Sequence, residues 1–150
     1  MNIIGSTRVI AAFPGCGKST MSATDLEIGD LDSSLFDKAA FPGNYVAHIK
    51  ERVEVGAAFV SSHSAVRDAL VESGIDFWLV YPARECKAEY LQRYRERGSP
   101  EKFIELLDAN WDTWISECET YPVNCRIAIK SGHFLSDVVT YNSDTKYFQL

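Results

Sequence analysis

The stretch that decides the fold lies near the N-terminus and reads Ala12-Phe13-Pro14-Gly15-Cys16-Gly17-Lys18-Ser19-Thr20. It matches the phosphate-binding pattern G-x-x-x-x-G-K-[ST] at Gly17, Lys18 and Ser19, with Ala12 in place of the first glycine. An apolar run over residues 9–13 leads into it, and residues 17–23 are compatible with a helix. Because the pattern works between a strand and a helix, these flanks favour a phosphate-binding loop over an ordinary turn that contains glycine.

The chemistry of phosphate binding explains the residue types in this loop. Glycines allow successive backbone N–H groups to turn inward around an anion, and the following helix presents its positive end to the same phosphates. We expect Lys18 to reach the β- and γ-phosphates of a nucleotide and the Ser19 hydroxyl to ligate Mg²⁺. The predicted nucleotide-binding residues are Pro14, Gly15, Cys16, Gly17, Lys18, Ser19 and Thr20.

Short apolar runs alternate with longer helix-like stretches along the chain. The predicted strands are residues 9–13, 26–28, 57–60, 77–81 and 126–129. The predicted helices are residues 17–23, 44–55, 64–73, 83–97 and 100–119. This alternation is typical of βαβ units around a parallel sheet that is covered on both faces. No linker or repeat divides the sequence, so we predict a single α/β domain over residues 1–150 with a five-stranded parallel sheet.

Composition and charge narrow the classes of partner. The 150 residues carry a net charge of −6, which argues against a broad electrostatic grip on nucleic acid. No apolar run approaches the ~18 residues of a membrane-spanning helix, and residues 1–7 lack the basic start and apolar core of a secretory signal. The four cysteines have no C-x-x-C spacing, and a chain of this length can bury a core without disulfides. We therefore predict a cytoplasmic protein with reduced thiols and no membrane partner.

Other classes of phosphate-loop protein can be excluded from the sequence. A GTPase would carry an N-K-x-D guanine motif, and none of the asparagines after the loop begins one. Motor and AAA-type ATPases need a far longer chain. The strand that would carry their Walker B acid runs instead into Ser61-Ser62-His63. The class that remains is the small kinases.

Candidate acceptor-binding residues follow the second and third predicted strands. Asp30 and Asp32 stand where parallel strands border a ligand cleft, and carboxylates there can hold the waters of Mg²⁺ or accept a proton from an attacking hydroxyl. The alternative for this acidic pair is a solvated turn. His63 follows the third strand, with Arg67 one helical turn later on the same face. Arg67 could bind an acceptor phosphate or pair with a carboxylate of its own helix.

Positive charge is concentrated between the fourth and fifth strands. Residues 84–102 have six basic and four acidic side chains, whereas the rest of the chain has nine basic and seventeen acidic ones. An arginine that closes over a triphosphate can neutralise the charge that phosphoryl transfer spreads over the equatorial oxygens. Arg93 and Arg97 share a helical face, so we predict a lid over residues 93–100, with a charged exposed helix as the alternative.

The combination of A-F-P-G-C-G-K-S-T, D-L-D-S-S and the arginine-rich segment resembles the nucleoside monophosphate kinase superfamily. The D-x-D pair is similar to that of shikimate and gluconate kinases. The strings F-P-x-x-Y at residues 41–45 and V-S-S-H-x-x-V-R at residues 60–67 resemble small phage-encoded nucleotide kinase-like proteins. Sugar kinases of the superfamily carry a glycine-rich turn in place of Ser61-Ser62-His63, so the match to a shikimate-like acceptor is incomplete.

This resemblance implies a three-layer P-loop kinase fold with strand order 2-3-1-4-5, ATP as phosphoryl donor and Mg²⁺ as cofactor. It also implies that Asp32 contacts the acceptor and that Asp30 supports the metal, directly or through water. The predicted catalytic residues are Lys18, Asp32, Arg93 and Arg97. The predicted acceptor-binding residues are Asp30, Asp32, His63 and Arg67, within and around an acceptor-binding segment at residues 33–56.

Two later segments carry weaker signals. The helical spacing of Phe103, Leu106, Leu107, Trp111 and Trp114 favours a packed core face over a base-stacking platform. Residues 130–135 stand where members of the resembled superfamily wrap the adenine of ATP. The tail from Tyr141 carries no motif.

We therefore predict an ATP- and Mg²⁺-dependent phosphotransferase that acts on a nucleotide or nucleoside-type small acceptor. Asp32 acts as a base only if that acceptor is a hydroxyl, because a phosphate is already ionised. One alternative is a kinase for a hydroxymethylated base in phage DNA. The net charge disfavours this alternative, although a local groove near the basic segment could bind the DNA. The other is a non-catalytic ATP-binding regulatory protein. If the chain is phage-encoded, the expected compartment is the host cytoplasm.

Overall fold

The computed structural model describes residues 5–150, without the side chain of Ser34, so residues 1–4 of the segment compared with a secretory signal lie outside it. The strands are β1 Ser6–Thr7, β2 Val9–Ala12, β3 Ile28–Asp30, β4 Ala57–Ser61, β5 Trp78–Pro82, β6 Arg126–Ile129, β7 Thr140–Asn142 and β8 Tyr147–Gln149. The helices are α1 Lys18–Thr24, α2 Gly43–Arg52, α3 Ser64–Glu72, α4 Lys87–Glu96, α5 Glu101–Thr120 and α6 Leu135–Val138. Short 3₁₀ turns lie at Ser33–Leu35 and Arg84–Cys86. No helix within residues 5–150 is both long and apolar enough to cross a membrane.

Five strands form one parallel sheet in the order β3-β4-β2-β5-β6. The predicted α/β class and five-stranded parallel sheet are thus confirmed. In register, Ala12 of β2 pairs with Ser61 of β4, and Asp30 of β3 pairs with Phe59 of β4. The carboxyl ends of these three strands therefore lie side by side, and the residues that follow them meet at one edge of the sheet.

A second, antiparallel sheet of three short strands in the order β1-β8-β7 was not predicted. Its strands have two or three residues each, which is too short for an alternating pattern to be read from the sequence. Because these three strands are counted too, the strands of the parallel sheet carry other numbers than predicted. The predicted order 2-3-1-4-5 counted five strands, whereas the chain has eight within residues 5–150 and its parallel sheet reads β3-β4-β2-β5-β6.

The central strands are buried on both faces of the sheet. Every residue of β2 and β5 is buried, as are the first four of β4. Removing such apolar surface from water stabilises the fold by about 25 cal/mol per Å². Helix α5 contributes Leu107, Trp111 and Ile115 at helical spacing, so the prediction that Trp111 packs in the core is confirmed.

Three predicted elements differ from the structure by two residues or more at a boundary. The strand predicted at residues 26–28 is wrong by two residues, because the Asp25 side chain accepts a hydrogen bond from the Glu27 N–H and holds a turn there. The helix predicted to reach residue 55 ends at Arg52, and the Gly56 N–H closes a turn onto the Arg52 carbonyl at 3.1 Å. The helix predicted at residues 83–97 is divided into a 3₁₀ turn and α4.

Candidate functional site

A cleft of about 1120 Å³ opens at the carboxyl ends of the parallel strands. The loop after β2 lines it together with residues that follow β3 and β4, and α4 and α5 close another side. Open parallel sheets bind their ligands at this edge. The predicted site residues that line the cleft are Pro14, Gly15, Gly17, Lys18, Ser19, Thr20, Asp30, Asp32, His63, Arg67, Arg93 and Arg97.

Two glycines shape the loop after β2. Gly15 and Gly17 have φ angles of 89° and 101°, a left-handed backbone that residues with a side chain rarely adopt. A Cβ on Gly15 would lie 2.9 Å from the ring of Tyr94, and one on Gly17 would lie 3.3 Å from the ring of Phe134. Within the described chain, the N–H groups of residues 17–20 donate to no protein oxygen. They are therefore available to an anion, as the sequence pattern predicts.

Cys16 differs from the other predicted nucleotide-binding residues because its side chain does not line the cleft. Its buried thiol lies 3.7 Å from the hydroxyl of Tyr90, and burial raises the pKa of Cys16 to about 12. A thiol held in this state is a packing group rather than a nucleophile. The Cys16 carbonyl accepts a hydrogen bond from the Leu135 N–H at 2.8 Å, which ties the loop to α6.

Lys18 lies at the base of the cleft, beside the acidic strand end. Its Nζ donates a hydrogen bond to the Ala12 carbonyl at 3.2 Å. Burial lowers the pKa of Lys18, while the charge of Asp30 acts in the opposite direction. Burial also raises the pKa of Asp30, against the charge of Lys18. Since desolvation disfavours the charged form of Lys18, a bound anion would stabilise its ammonium.

A tyrosine that the sequence pattern did not single out joins the ends of β3 and β4. Tyr45 of α2 is fully buried, and its hydroxyl donates to the Leu31 carbonyl and accepts from the Ser61 N–H at 3.2 Å. Leu31 stands between Asp30 and Asp32, so this hydroxyl fixes the backbone from which both carboxylates project. Both acidic residues are exposed toward the cleft.

Arg67 has a partner that was not foreseen. It is 4% exposed, and its Nε donates to the Ser62 carbonyl at 2.8 Å while its Nη2 donates to Oε1 of Glu117 at 2.9 Å. The guanidinium also lies 4.6 Å from the ring centroid of Tyr121. The alternative of a pairing with a carboxylate of its own helix is therefore wrong, since Glu117 lies on α5, 50 residues away in the chain.

His63 shares the cleft with Arg67, as the i, i+4 spacing predicts. Its ring centroid lies 6.4 Å from that of Trp114, and the two ring planes are nearly perpendicular at 88°. Burial lowers the pKa of His63, and the charges of Lys18 and Arg67 add to the shift. The imidazole is therefore neutral at pH 7.

Helix α5 exposes part of its apolar face to the cleft. Phe103, Leu106 and Trp114 line the cleft, and Leu106 is 50% exposed. The prediction of a packed core face is therefore wrong for Leu106, whereas Phe103 and Trp114 are half-buried and pack against the core. The cleft runs along α5 from Phe103 to Glu117, with lining residues at helical spacing. One face of α5 therefore borders the cleft as well as the core.

Arg93 braces the loop from α4. Its guanidinium donates to the Gly15 carbonyl at 2.8 Å and to the His133 carbonyl at 2.9 Å. It lies between two aromatic rings, 4.3 Å from the centroid of Tyr90 and 3.9 Å from that of Phe134. These contacts hold the phosphate loop against the segment before α6. The catalytic role of Arg93 stays a prediction beside this bracing role, which the sequence did not indicate.

Glu89 extends the brace into residues 130–135, the segment where the resemblance places adenine. Its carboxylate accepts a hydrogen bond from Arg93 at 2.7 Å, another from the Ser131 hydroxyl and a third from the Gly132 N–H at 3.0 Å. These bonds lower the pKa of Glu89. The loop and this segment are thereby connected through one ion pair.

Arg97 is the exposed arginine of the predicted pair. It lines the cleft, donates from Nε to the Ser99 hydroxyl at 3.0 Å and lies 5.0 Å from the ring centroid of Tyr94. Its charge helps to lower the pKa of Lys18, so both cations act on the same part of the cleft. The predicted lid at residues 93–100 is the end of α4 and its turn into α5.

The oxygens at the loop suit a nucleotide-bound Mg²⁺ better than a metal centre built by protein alone. Within residues 5–150, no group of three or more His, Cys, Asp or Glu side chains could hold a metal ion. Mg²⁺ keeps several waters and commonly takes one or two protein oxygens together with substrate phosphates. The Ser19 hydroxyl and the Asp30 carboxylate both border the cleft and fit that role.

Four side chains of the site could not be singled out from the sequence: Tyr45, Glu89, Trp114 and Glu117. Tyr45 ends the string F-P-x-x-Y, which is a signal for its presence but not for its hydrogen bonds. Apart from the pair of Glu89 with Arg93, the others act through partners 42 to 51 residues away, such as the 42 residues between Glu89 and Ser131. Their own neighbourhoods in the chain look like ordinary helix surface or core.

Known proteins add no relative to this picture. No protein-family model matches the chain, and no similar chain was found among curated proteins or solved structures. The candidate site therefore stands on the residues and the geometry of this chain alone.

Proposed function

We propose that the chain is an ATP- and Mg²⁺-dependent phosphotransferase that moves the γ-phosphoryl group of ATP to a nucleotide or nucleoside-type small acceptor. The main support is the meeting, in one cleft, of the glycine loop with Lys18 and the acidic pair Asp30 and Asp32. A phosphate loop alone would suit any nucleotide-binding protein. The carboxylates at the end of β3 line the same cleft as this loop, and such groups can position an acceptor or accept its proton.

The proposal includes a P-loop kinase fold and a place in the nucleoside monophosphate kinase and shikimate kinase-like superfamily. The parallel sheet, the loop after its strand β2 and the α4–α5 pair beside that loop support it. Residues 33–56 would then bind the acceptor from the end that Ser33 brings to the cleft, and residues 93–100 would act as the lid. We also propose a cytoplasmic location, in the host if the chain is phage-encoded.

The proposed role of each residue follows from its position in the cleft. Lys18 and the N–H groups of residues 17–20 bind the phosphates of ATP. Ser19 and Asp30 would hold Mg²⁺, Asp30 directly or through water. Bound Mg²⁺ neutralises part of the charge on the phosphate oxygens. Arg97 adds positive charge beside Lys18, and the contacts of Arg93 keep the loop in shape.

In the transfer step, an acceptor oxygen forms a bond to the γ-phosphorus while the bond from that phosphorus to the bridging oxygen breaks. The bridging oxygen keeps the electron pair and leaves on ADP. If the acceptor is a hydroxyl, Asp32 takes its proton. If the acceptor is a phosphate, Asp32 only positions it, because no proton has to be removed.

The test is transfer of labelled γ-phosphate from ATP by the purified chain. The acceptors are deoxynucleosides, their 5′-monophosphates, a polyol and an oligonucleotide with a hydroxymethylated base. We expect label on a small acceptor, and a loss of at least about 100-fold in rate in Lys18→Met and Asp32→Asn. Lys87→Met is the control, since Lys87 pairs with Asp108 at 2.7 Å and does not line the cleft.

Each other outcome contradicts the proposal in a different way. Label on the oligonucleotide alone would favour the base kinase and overturn a small acceptor. Binding of ATP without transfer to any of the acceptors would favour a non-catalytic regulatory protein. Equal rates for Lys18→Met and Lys87→Met would remove the phosphate loop from the reaction.

A further inference from the structure

One end of the cleft, which we call the acceptor corner, is formed by His63, Arg67, Trp114 and Glu117. The corner is closed by the Arg67–Glu117 ion pair at 2.9 Å and by the perpendicular rings of His63 and Trp114. Along α5, Glu117 lies ~21 Å beyond Phe103. Phe103 lies beside Arg97, which belongs to the predicted lid at residues 93–100. The acceptor corner is therefore well separated from that lid.

The positive charge of the acceptor corner is already neutralised. Arg67 is almost completely buried, and its Nε and Nη2 are both engaged by protein oxygens. A second anion at Arg67 would have to compete with Glu117 or lie beside its carboxylate, which costs free energy in a poorly solvated site. His63 adds no positive charge at neutral pH, because its pKa is lowered.

Carboxylates border the same cleft, and the charge of Lys18, which reaches His63, is opposed by that of Asp30. Asp30 and Asp32 are exposed toward the cleft, and the Glu117 side chain is 41% exposed. Four basic and four acidic side chains line the cleft, and all the basic ones except Arg67 belong to the loop, to α4 or to its C-terminal end. A phosphate monoester carries about −1.5 to −2 charges at pH 7, and at the acceptor corner it would face the partly exposed carboxylate of Glu117.

The acceptor corner has an aromatic surface and one open donor. The half-buried ring of Trp114 stands at 88° to that of His63, and such faces and edges attract a planar heteroaromatic ring. Nη1 of Arg67 donates to no atom within residues 5–150. This nitrogen is not fully buried. Because Arg67 lines the cleft, Nη1 is the nitrogen of this guanidinium that is left to donate to a ligand oxygen, such as a neutral carbonyl.

We propose that the acceptor is an uncharged hydroxyl compound with a planar aromatic ring, of the nucleoside class, and that the nucleoside monophosphate is disfavoured. This acceptor class rests on the proposed function and narrows it. Asp32 then acts as the base: it takes the hydroxyl proton as the oxygen bonds to the γ-phosphorus, and the bridging electron pair leaves on ADP.

Initial rates with matched pairs of deoxynucleoside and 5′-monophosphate test this selectivity. In the unmodified chain we expect kcat/KM to be at least about 10-fold higher for a nucleoside than for its monophosphate. Glu117→Gln leaves Arg67 without its counter-charge, so we expect that ratio to fall by about 5-fold in favour of the monophosphate.

Glu119→Gln is the matched control. Glu119 lies on the same helix with a 40% exposed side chain and pairs with Arg84 at 2.6 Å, but it does not line the cleft. We expect its nucleoside-to-monophosphate ratio to equal that of the unmodified chain.

Failure of this inference is distinguishable from failure of the proposed function. A monophosphate that is the better acceptor, or equal ratios in Glu117→Gln and Glu119→Gln, would overturn the nucleoside class while transfer itself persists. ATP binding seen by calorimetry with no label on either acceptor class would instead contradict phosphotransfer. The comparison of acceptors in the unmodified chain requires no variant to fold.

Discussion

His63 shows how the cleft controls the charge of a single residue. Burial lowers its pKa, and Lys18 and Arg67 act in the same direction. Protonation of His63 is therefore less favourable in the folded chain than in the unfolded chain. Well above pH ~6.5 both states are neutral at this residue, and there is no effect. As the pH falls through about 6.5, the unfolded state binds the proton first and the free energy of unfolding decreases.

We expect His63→Gln to remove this part of the acid sensitivity. Relative to the unmodified chain, the variant should gain stability as the pH falls from about 7 to about 5. Urea midpoints measured across that interval give the comparison. His48→Gln on α2, outside the cleft, should follow the unmodified chain. If the midpoints of His63→Gln run parallel to those of the unmodified chain, the lowered pKa of His63 is contradicted.

Single residues differ in how far the sequence determines their role. The loop residues could be predicted because the motif is local: Gly15 and Gly17 act through their own φ angles, and Lys18 directly follows them. Arg67 could be placed on the correct face, but its ion-pair partner Glu117 is 50 residues away in the chain. No pattern within one helix reveals such a partner.

Helix α4 is the element whose role changes most between sequence and structure. Concentrated positive charge predicts a lid, but charge alone does not distinguish a segment that moves from one that braces. In the structure, Arg93 bonds to the Gly15 carbonyl and the Tyr94 hydroxyl donates to the Pro14 carbonyl at 2.7 Å. The helix thus supports the loop directly, and Arg97 in the following turn is the more exposed arginine.

We expect Arg93→Lys to weaken ATP binding rather than slow the transfer step. Lysine keeps the charge but lacks the planar fork that serves the Gly15 and His133 carbonyls together. The KM for ATP should rise about 10-fold, with kcat changed by less than about 2-fold. Calorimetry should show the same loss in ATP affinity.

The control for this substitution is Arg95→Lys, on the exposed side of the same helix. A catalytic lid arginine would behave differently, with a loss in kcat of about 1,000-fold. A loss of that size in Arg93→Lys, with ATP affinity intact, would show that the brace is secondary to catalysis.

Elements of the sheet could be predicted where burial makes the pattern continuous. Strands β2, β4 and β5 are uninterrupted apolar runs because helices cover both of their faces. Strand β3 lies at the edge of the sheet, and its apolar signal is confused with that of the turn before it, where Leu26 is 91% exposed. The exposed Leu26 is the reason that this short edge strand was predicted two residues too early.

At the scale of the whole molecule, the candidate site and the strands that support the sheet lie in different parts of the chain. None of the residues in β1, β7 and β8 lines the cleft. Phe148 of β8 is completely buried. Its ring stacks on that of Phe59 with 4.9 Å between the centroids, and its centroid lies 5.6 Å from that of Tyr141. Lys146 pairs with Glu27, which ties the tail to the turn before β3. The tail had no motif because its contribution is packing against distant residues.

This division predicts that the tail affects stability without affecting the cleft. We expect Phe148→Ala to lower the free energy of unfolding by about 3–5 kcal/mol, because it leaves a cavity against Phe59. Leu150→Ala, at a side chain that is 66% exposed, should change it by less than about 0.5 kcal/mol. Urea unfolding followed by fluorescence gives both values.

Addition of ATP separates the two roles further. A ligand that binds only the folded state stabilises it by an amount that depends on its concentration and affinity, about 2.7 kcal/mol at 100 times Kd. If the tail only supports the sheet, Phe148→Ala and the unmodified chain gain the same increment, although they start from different stabilities. A smaller increment in the variant would mean that the packing of Phe148 on β4 also sets the geometry of Ser61 and His63 at the carboxyl end of that strand, and the separation of support from chemistry would fail.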